Sequence, residues 1–339
     1  MNSRERARRA INFQHPDRPP ISHAVLPAAY LKYGESMKEI LAEYGDDFGW
    51  DYMDDLSTED YPALYRQGRN ADDFGTVWES PWLGICGIPA DCPIKDLSRY
   101  SEFSWPEAFS AGPPSGRLYS GHMMGSDDRW YARGAWITYW EQLQWLRGLE
   151  DLYMDIATEP KELCQLMDDL LEFNLAWIDK WTALEYDGLH FADDWGAQNH
   201  LLIQPAVWRR LFKPRYAEMF RRVREAGMDV WYHSDGRIND IIGDLIEIGV
   251  QVINCQTSVM GLDWIAENVR GKVAFRTDID RQHILPFGSP AQVKEEVQRT
   301  FQAVGTAAGG IVACGEVAPE VPLENIRAMY EAFVEYGRE

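Results

Sequence analysis

His233 and Asp235 stand one residue apart in "WYHSDGRIND", residues 231–240, directly after an apolar run. An imidazole and a carboxylate so placed can share a proton or hold a metal ion. Two blander readings stay open: a hydrogen-bonded rim histidine, and an aspartate that caps the next helix or fills the turn before Gly236. Four other apolar runs end in polar groups. "DGLHFADDWG" (187–196) delivers Asp193 and Asp194, and "VQVINCQ" (250–256) delivers Asn254 and Gln256. "KVAFRTDID" (272–280) brings Arg276, Asp278 and Asp280, and "GGIVACGE" (309–316) brings Cys314 and Glu316. One histidine, one cysteine and several carboxylates at strand ends have metal-ligand potential. Spacing alone carries little of that signal, because no Cys-Cys clamp supports it. Adjacent residues at a strand end point to opposite sides, so one of Asp193 and Asp194 is expected to face the cavity and the other to serve a helix end.

The elements that must position these groups follow one grammar. A short apolar run ends in polar residues and a helical stretch follows. The helical stretches are 204–227, 238–249, 261–271, a segment opened by Ser289 as N-cap with Pro290 behind it, and a last helix from Pro322. Strand and helix alternating through short connections predict parallel strands and a crossover fold. Five such units in the C-terminal half of a 339-residue chain point to an α/β fold, a (β/α)8 TIM barrel with an N-terminal helical extension. An open doubly wound sheet is the alternative, but no GxGxxG follows a strand. In the first half, 18–27 is a candidate first strand, while 72–86 and "GHMMG" (121–125) are candidates for others. Residues 141–181 read as two helices broken near Pro160. No linker or repeat appears, so one domain spans 1–339. In such barrels the active site lies at the C-terminal ends of the strands, where the polar groups above are gathered.

The net charge of −21 argues against nucleic acid and anionic membrane surfaces as partners. Five cysteines without a CxxC argue against a disulfide framework. Cys86, Cys92, Cys164 and Cys255 read as structural, and Cys314 taken alone reads as a small buried hydrophobe. "MNSRERARRAINFQHPDRPP" has no apolar core, and no run approaches a membrane span, so a cytoplasmic protein is expected. The fourteen tryptophans suit helix packing or, more sharply, a cavity lined with rings.

The opening "NSRERARRAINFQHPDRPP", then "WLRGLEDLYMDIATEPKELCQLMDDL", "FADDWGAQNHLLIQPAVWRRLFKPRYAEMF", "HSDG", "FGSPAQVKEEVQ" and "CGEVAPEVPLENIRAMYEA" together resemble the uroporphyrinogen decarboxylase superfamily. Within it the chain looks most like the corrinoid-linked methyltransferase branch. True decarboxylases of the family carry an arginine-rich "RQAGR"-like segment for substrate carboxylates. Here the matching region reads "ISHAVLPAAYLKYG", without arginine, a poor host for a polyanionic porphyrinogen. Zinc members of the methyltransferase branch use a His-x-Cys after one strand and a Cys after the last. His233 matches the histidine, Asp235 stands at the first cysteine, and Cys314 matches the second. The resemblance therefore implies zinc on His233, Asp235 and Cys314, harder than a thiolate-rich site and suited to polarising an ether oxygen.

It further implies methyl transfer from a small methylated substrate, a methoxylated aromatic, to cobalt. The cobalamin would come from a partner corrinoid protein, since no DxHxxG signature occurs in this chain. Asp193 or Asp194 would donate a proton or orient the substrate, with Asp235 or Glu316 completing the metal site on His233 and Cys314. Two rivals stay open. One is a lyase acting on a small carboxylic acid, with Arg276 binding the carboxylate; the other is a non-catalytic tetrapyrrole-binding barrel. A homodimer is an open oligomeric state.

Overall fold

In a computed structural model the chain is described at residues 1–49, 61–106, 131, 133–184 and 186–337. It opens with α1 (Ser3–Ile11), α2 (Pro27–Tyr33) and α3 (Glu35–Tyr44). An antiparallel meander follows, of β1 (Gly68–Ala71), β2 (Val77–Ser80) and β3 (Ile88–Asp91). Then the alternation begins. β4 (Arg133–Ile137) leads into α4 (Trp140–Arg147), α5 (Leu149–Thr158) and α6 (Lys161–Thr182), and β5 (Gly188–Ala192) into α7 (Pro205–Leu211) and α8 (Lys213–Glu225). β6 (Asp229–Ser234) is followed by α9 (Ile242–Glu247), and β7 (Val252–Cys255) by α10 (Thr257–Met260) and α11 (Leu262–Asn268). β8 (Ala274–Arg276) is followed by α12 (Ile284–Phe287) and α13 (Pro290–Val304), and β9 (Ile311–Val312) by α14 (Leu323–Tyr336).

β4 to β9 pair in chain order, every neighbour parallel. The sheet closes on itself through the N-terminal segment. Ile21 and Val25 bridge in parallel to Ala313 and Val317, just past β9. On the other side of Ile21, the Asp47 N–H donates to its carbonyl at 2.9 Å, and the Tyr131 N–H donates to the Asp47 carbonyl at 3.4 Å. Segment 21–25, Asp47 and the six strands thus mark eight positions around the ring of a (β/α)8 barrel.

Alternation along the strands sorts the side chains. Trp231, Val252, Ala274 and Val312 point inward and pack with Phe48, Tyr131 and the α1 residues Ala7 and Ile11, so α1 closes the N-terminal end. Val230, Tyr232 and Ile253 point outward into the layer shared with the helices. Fully burying a ring such as Trp231 contributes roughly 2–3 kcal/mol.

The five C-terminal strand runs and the break at Pro160 appear as expected, and Ser289 caps α13 in a capping box with Gln292. Three details differ. Segment 141–181 is three helices, because Gly148 at φ +86° interrupts the first turn of helix after Arg147. Segment 204–227 is two, since Pro214 has no N–H to offer the preceding turn and the helix restarts after Phe212. The strand in 72–86 belongs to the meander and not to the barrel. "GHMMG" lies outside the described residues. None of the five cysteines is in a disulfide, and no helix among the described residues is long and apolar enough to cross a membrane.

Asp47 holds the N-terminal end together. Its buried carboxylate accepts from Arg6 Nη1 at 2.6 Å, Arg18 Nη1 at 2.7 Å and the Ile21 N–H at 2.8 Å. Asp47→Ala strands the mostly buried Arg6 charge and should cost roughly 3–5 kcal/mol. Urea unfolding monitored by tryptophan fluorescence checks this; a loss below about 1 kcal/mol would show that Asp17, the other partner of Arg6, suffices.

Candidate active site

The paired aspartates after β5 divide as strand geometry requires. Asp193 turns outward and is fully buried. It accepts from the N–H groups of Tyr139 (2.8 Å) and Glu141 (2.7 Å) and from the Tyr216 hydroxyl (2.5 Å). It therefore caps α4 and ties that helix to β5. Burial pushes its pKa up to about 7 against those hydrogen bonds. Asp194 turns inward. Its Oδ1 accepts from the Asp235 N–H at 2.7 Å and lies 3.5 Å from His233 Nε2.

His233 is oriented from behind. Its Nδ1 lies 2.8 Å from Asn254 Oδ1. The Asn254 amide cannot be turned over: its Nδ2 donates to the Arg276 carbonyl at 2.9 Å and its Oδ1 accepts from Arg276 Nη1 at 3.0 Å. An acceptor thus faces Nδ1, which must carry a proton. Nε2 is left facing Asp235 Oδ1 at 3.3 Å and Asp194 Oδ1 at 3.5 Å. Acceptors on both sides leave two states: an imidazolium, or a neutral ring whose Nε2 lone pair meets a cation shared with the carboxylates. Burial pulls the His233 pKa down, but the Asp235 and Asp194 carboxylates outweigh it and raise it to about 9. Burial pushes Asp235 up, yet His233 and then Arg281 bring it down to about 2.

Two loop glycines bring the carboxylates together. Gly236, at φ +73°, lies so close to Gly196 that a Cβ on it would stand 2.1 Å from the Gly196 carbonyl oxygen. The Gly196 N–H donates to the Asp235 carbonyl at 3.1 Å, and the Arg237 N–H donates to the Ala197 carbonyl at 2.9 Å. The "DDWG" and "HSDG" turns are locked main chain to main chain, and Asp194 and Asp235 ride on that lock.

A second set of charges surrounds this one. Arg281 donates to Asp235, and to Glu316 Oε1 at 2.6 Å, while its Nε lies 3.6 Å from Asp278 Oδ2. Burial raises Asp278 to about 7. Glu141, at the start of α4, is held well above the usual carboxylate range by burial and then by Asp194, Asp193 and Asp235. Trp136 keeps an exposed ring that lies tilted by 34° against His190, 4.4 Å away, and 6.1 Å from His233, both between centroids.

The structure brings together Asp194, His233 and Asp235. One ligand atom from each lies within 4.8 Å of the others, and they are the group of metal-capable side chains found among the described residues. Cys314 is not part of it. It is buried, on the inward face with Val312, and its N–H and carbonyl are bridged by the Thr277 hydroxyl. Glu316 stands at the rim and is engaged by Arg281. Arg276 is buried behind His233, on Asn254 and Ser22. Gln256 accepts from the Gly236 N–H at 2.9 Å, and Asp280 caps the turn at Gln282 and His283. Sequence reasoning missed Arg281, Glu141 and Trp136. For Arg281 a signal existed: several carboxylates at one rim demand a fixed cation, and an arginine directly follows "TDID".

In a tetrahedral zinc site with bonds of about 2.0–2.1 Å, neighbouring ligand atoms lie roughly 3.3 Å apart. The 3.3 and 3.5 Å separations from His233 Nε2 to the two carboxylates suit such an ion, held by one nitrogen and hard oxygens without thiolate.

A family model described as uroporphyrinogen decarboxylase (URO-D) matches residues 143–336. Among solved structures, the chain is similar to a methyltransferase from Methanosarcina mazei, with a TM-score of 0.69 and 14% identity over 99% of each chain. No curated protein matches it.

His233 supplies a pH test on metal-free protein. Its folded pKa lies above the unfolded value of about 6.5, so the stability it contributes is complete below that pH and is lost as pH rises through about 9. Long-range 1H–15N NMR of the imidazole should show a midpoint near 9. Asp235→Asn should lower it by about one unit or more. An unchanged midpoint in the variant would show that Asp235 is not the counter-charge.

Proposed function

The chain belongs to the uroporphyrinogen decarboxylase family, and within it we propose that it moves a methyl group from a small methoxylated aromatic to the cobalt of a corrinoid carried by a separate protein. The observation that carries this reading is the convergence of His233 Nε2, Asp194 and Asp235 at the C-terminal mouth of the barrel. The fold shared with the methyltransferase from Methanosarcina mazei adds support.

In this reaction the carbon–oxygen bond breaks, the acceptor takes the methyl carbon, and the aromatic oxygen keeps the bonding pair. A phenolate is a poor leaving group unless its charge is met as it forms. Asp194, His233 and Asp235 would hold a zinc ion, which when bound supplies Lewis acidity at that oxygen. The protein's own residues do the rest. Asn254 and Arg276 fix His233 with Nε2 toward the mouth. Glu141 holds a proton at a pH where an ordinary carboxyl has lost it and can pass it to the departing oxygen. Asp193 sets the start of α4 and so positions Glu141. The exposed ring of Trp136 offers a stacking face to an aromatic substrate.

Metal content by mass spectrometry is the deciding experiment. Wild type and Cys314→Ser should each carry about one zinc per chain, and His233→Ala and Asp235→Asn little. With methoxylated aromatics and a corrinoid partner, Glu141→Gln should keep its zinc and lose about a hundredfold in methyl transfer. No stoichiometric metal in wild type never exposed to a chelator would remove the Lewis-acid reading. The His233 imidazolium, flanked by acceptors on both sides, would then favour an acid–base lyase.

A further inference from the structure

Arg281 enters the donor group from its outer side, and it grips the oxygen that a metal would need. Its Nη2 donates to Asp235 Oδ1, the atom that also lies 3.3 Å from His233 Nε2. The same guanidinium has two further acidic neighbours away from His233: Glu316 Oε1 at 2.6 Å from Nη1, and Asp278 Oδ2 at 3.6 Å from Nε. We infer that Arg281 is a resident counter-cation that competes with a divalent metal for Asp235, and that metal uptake is an exchange in which the guanidinium withdraws onto Glu316 and Asp278. The inference rests on the metal reading above and assigns Arg281 a positioning role within it.

The argument is one of charge and room. Without a metal, Asp194 and Asp235 need positive charge close by, and His233 and Arg281 supply it. A divalent ion among the same oxygens brings two positive centres into contact with Asp235 Oδ1, and they repel. Arg281 cannot answer by losing a proton, because a guanidinium stays charged. Nor can it drift into solvent at no cost, since its side chain is only 14% exposed. Glu316 and Asp278 give it a place to remain paired once Asp235 is surrendered. No covalent bond changes; one contact of the guanidinium is traded for one of the ion.

The test titrates zinc chloride against a chromogenic chelator with stripped wild type and Arg281→Gln, folding being checked by circular dichroism. A zinc-loaded wild-type crystal structure accompanies it. Removal of the competitor should tighten zinc binding at least tenfold, and in loaded wild type the guanidinium should have left Asp235 while keeping Glu316. Equal or weaker binding by a folded Arg281→Gln, as a merely structural role would give, overturns the inference alone. So does a loaded structure with Arg281 still on Asp235, which decides the matter if the variant does not fold. Zinc bound by neither protein removes the metal reading and this inference together.

Discussion

Acidic side chains converge at the mouth of this barrel only because a few cations and amide groups are placed to receive them. Asp194, Asp235, Asp278, Glu316 and Glu141 would repel one another in a partly dry site. Arg281 touches Asp235, Glu316 and Asp278, and His233 stands between Asp194 and Asp235. The behaviour of the site follows from that shortage of positive charge. Asp235, between His233 and Arg281, is held ionised, while burial drives Glu141, Asp278 and Asp194 toward the neutral form. One barrel rim therefore offers an anionic binding surface and a proton store side by side, the division of labour that leaving-group chemistry needs.

Behind the rim, Asn254 and Asp193 decide what the front groups can do. Asn254 has its amide fixed by Arg276 and thereby determines which nitrogen of His233 carries a proton. Asp193, invisible from the cavity, decides where α4 starts. Each fixes the orientation of a group at the mouth, as outer partners of catalytic and metal-binding residues commonly do.

Much of this was readable from the chain. The C-terminal strands announce themselves through apolar runs that end in polar residues, because buried parallel strands must be apolar and their ends meet water. His233, Asp194 and Asp235 could be picked out since each follows such a run directly. What escaped lies where the link is not local. Arg281 sits beyond the end of β8, and its hydrogen-bond partners Asp235 and Glu316 come from other loops. Glu141 belongs to a helix, and its role depends on Asp193 across the barrel layer. Cys314 matches a ligand position by motif and faces inward, but its thiol is not in the group of Asp194, His233 and Asp235, and its backbone is tied to Thr277. The extra helix breaks at Gly148 and Phe212 were hidden because apolar periodicity continues across them.

The close approach of Gly196 and Gly236 bears on how such a barrel can be diversified. Where two turns share main-chain hydrogen bonds and no space for a side chain, neither can lengthen or shift without carrying the other. The loops after β5 and β6 therefore form one inherited cassette, closed to piecemeal change. The meander β1–β3 is outside the barrel sheet and carries no part of that lock. Changes can be grafted onto its periphery while the rim cluster stays intact, an uneven plasticity set by two missing methyl groups.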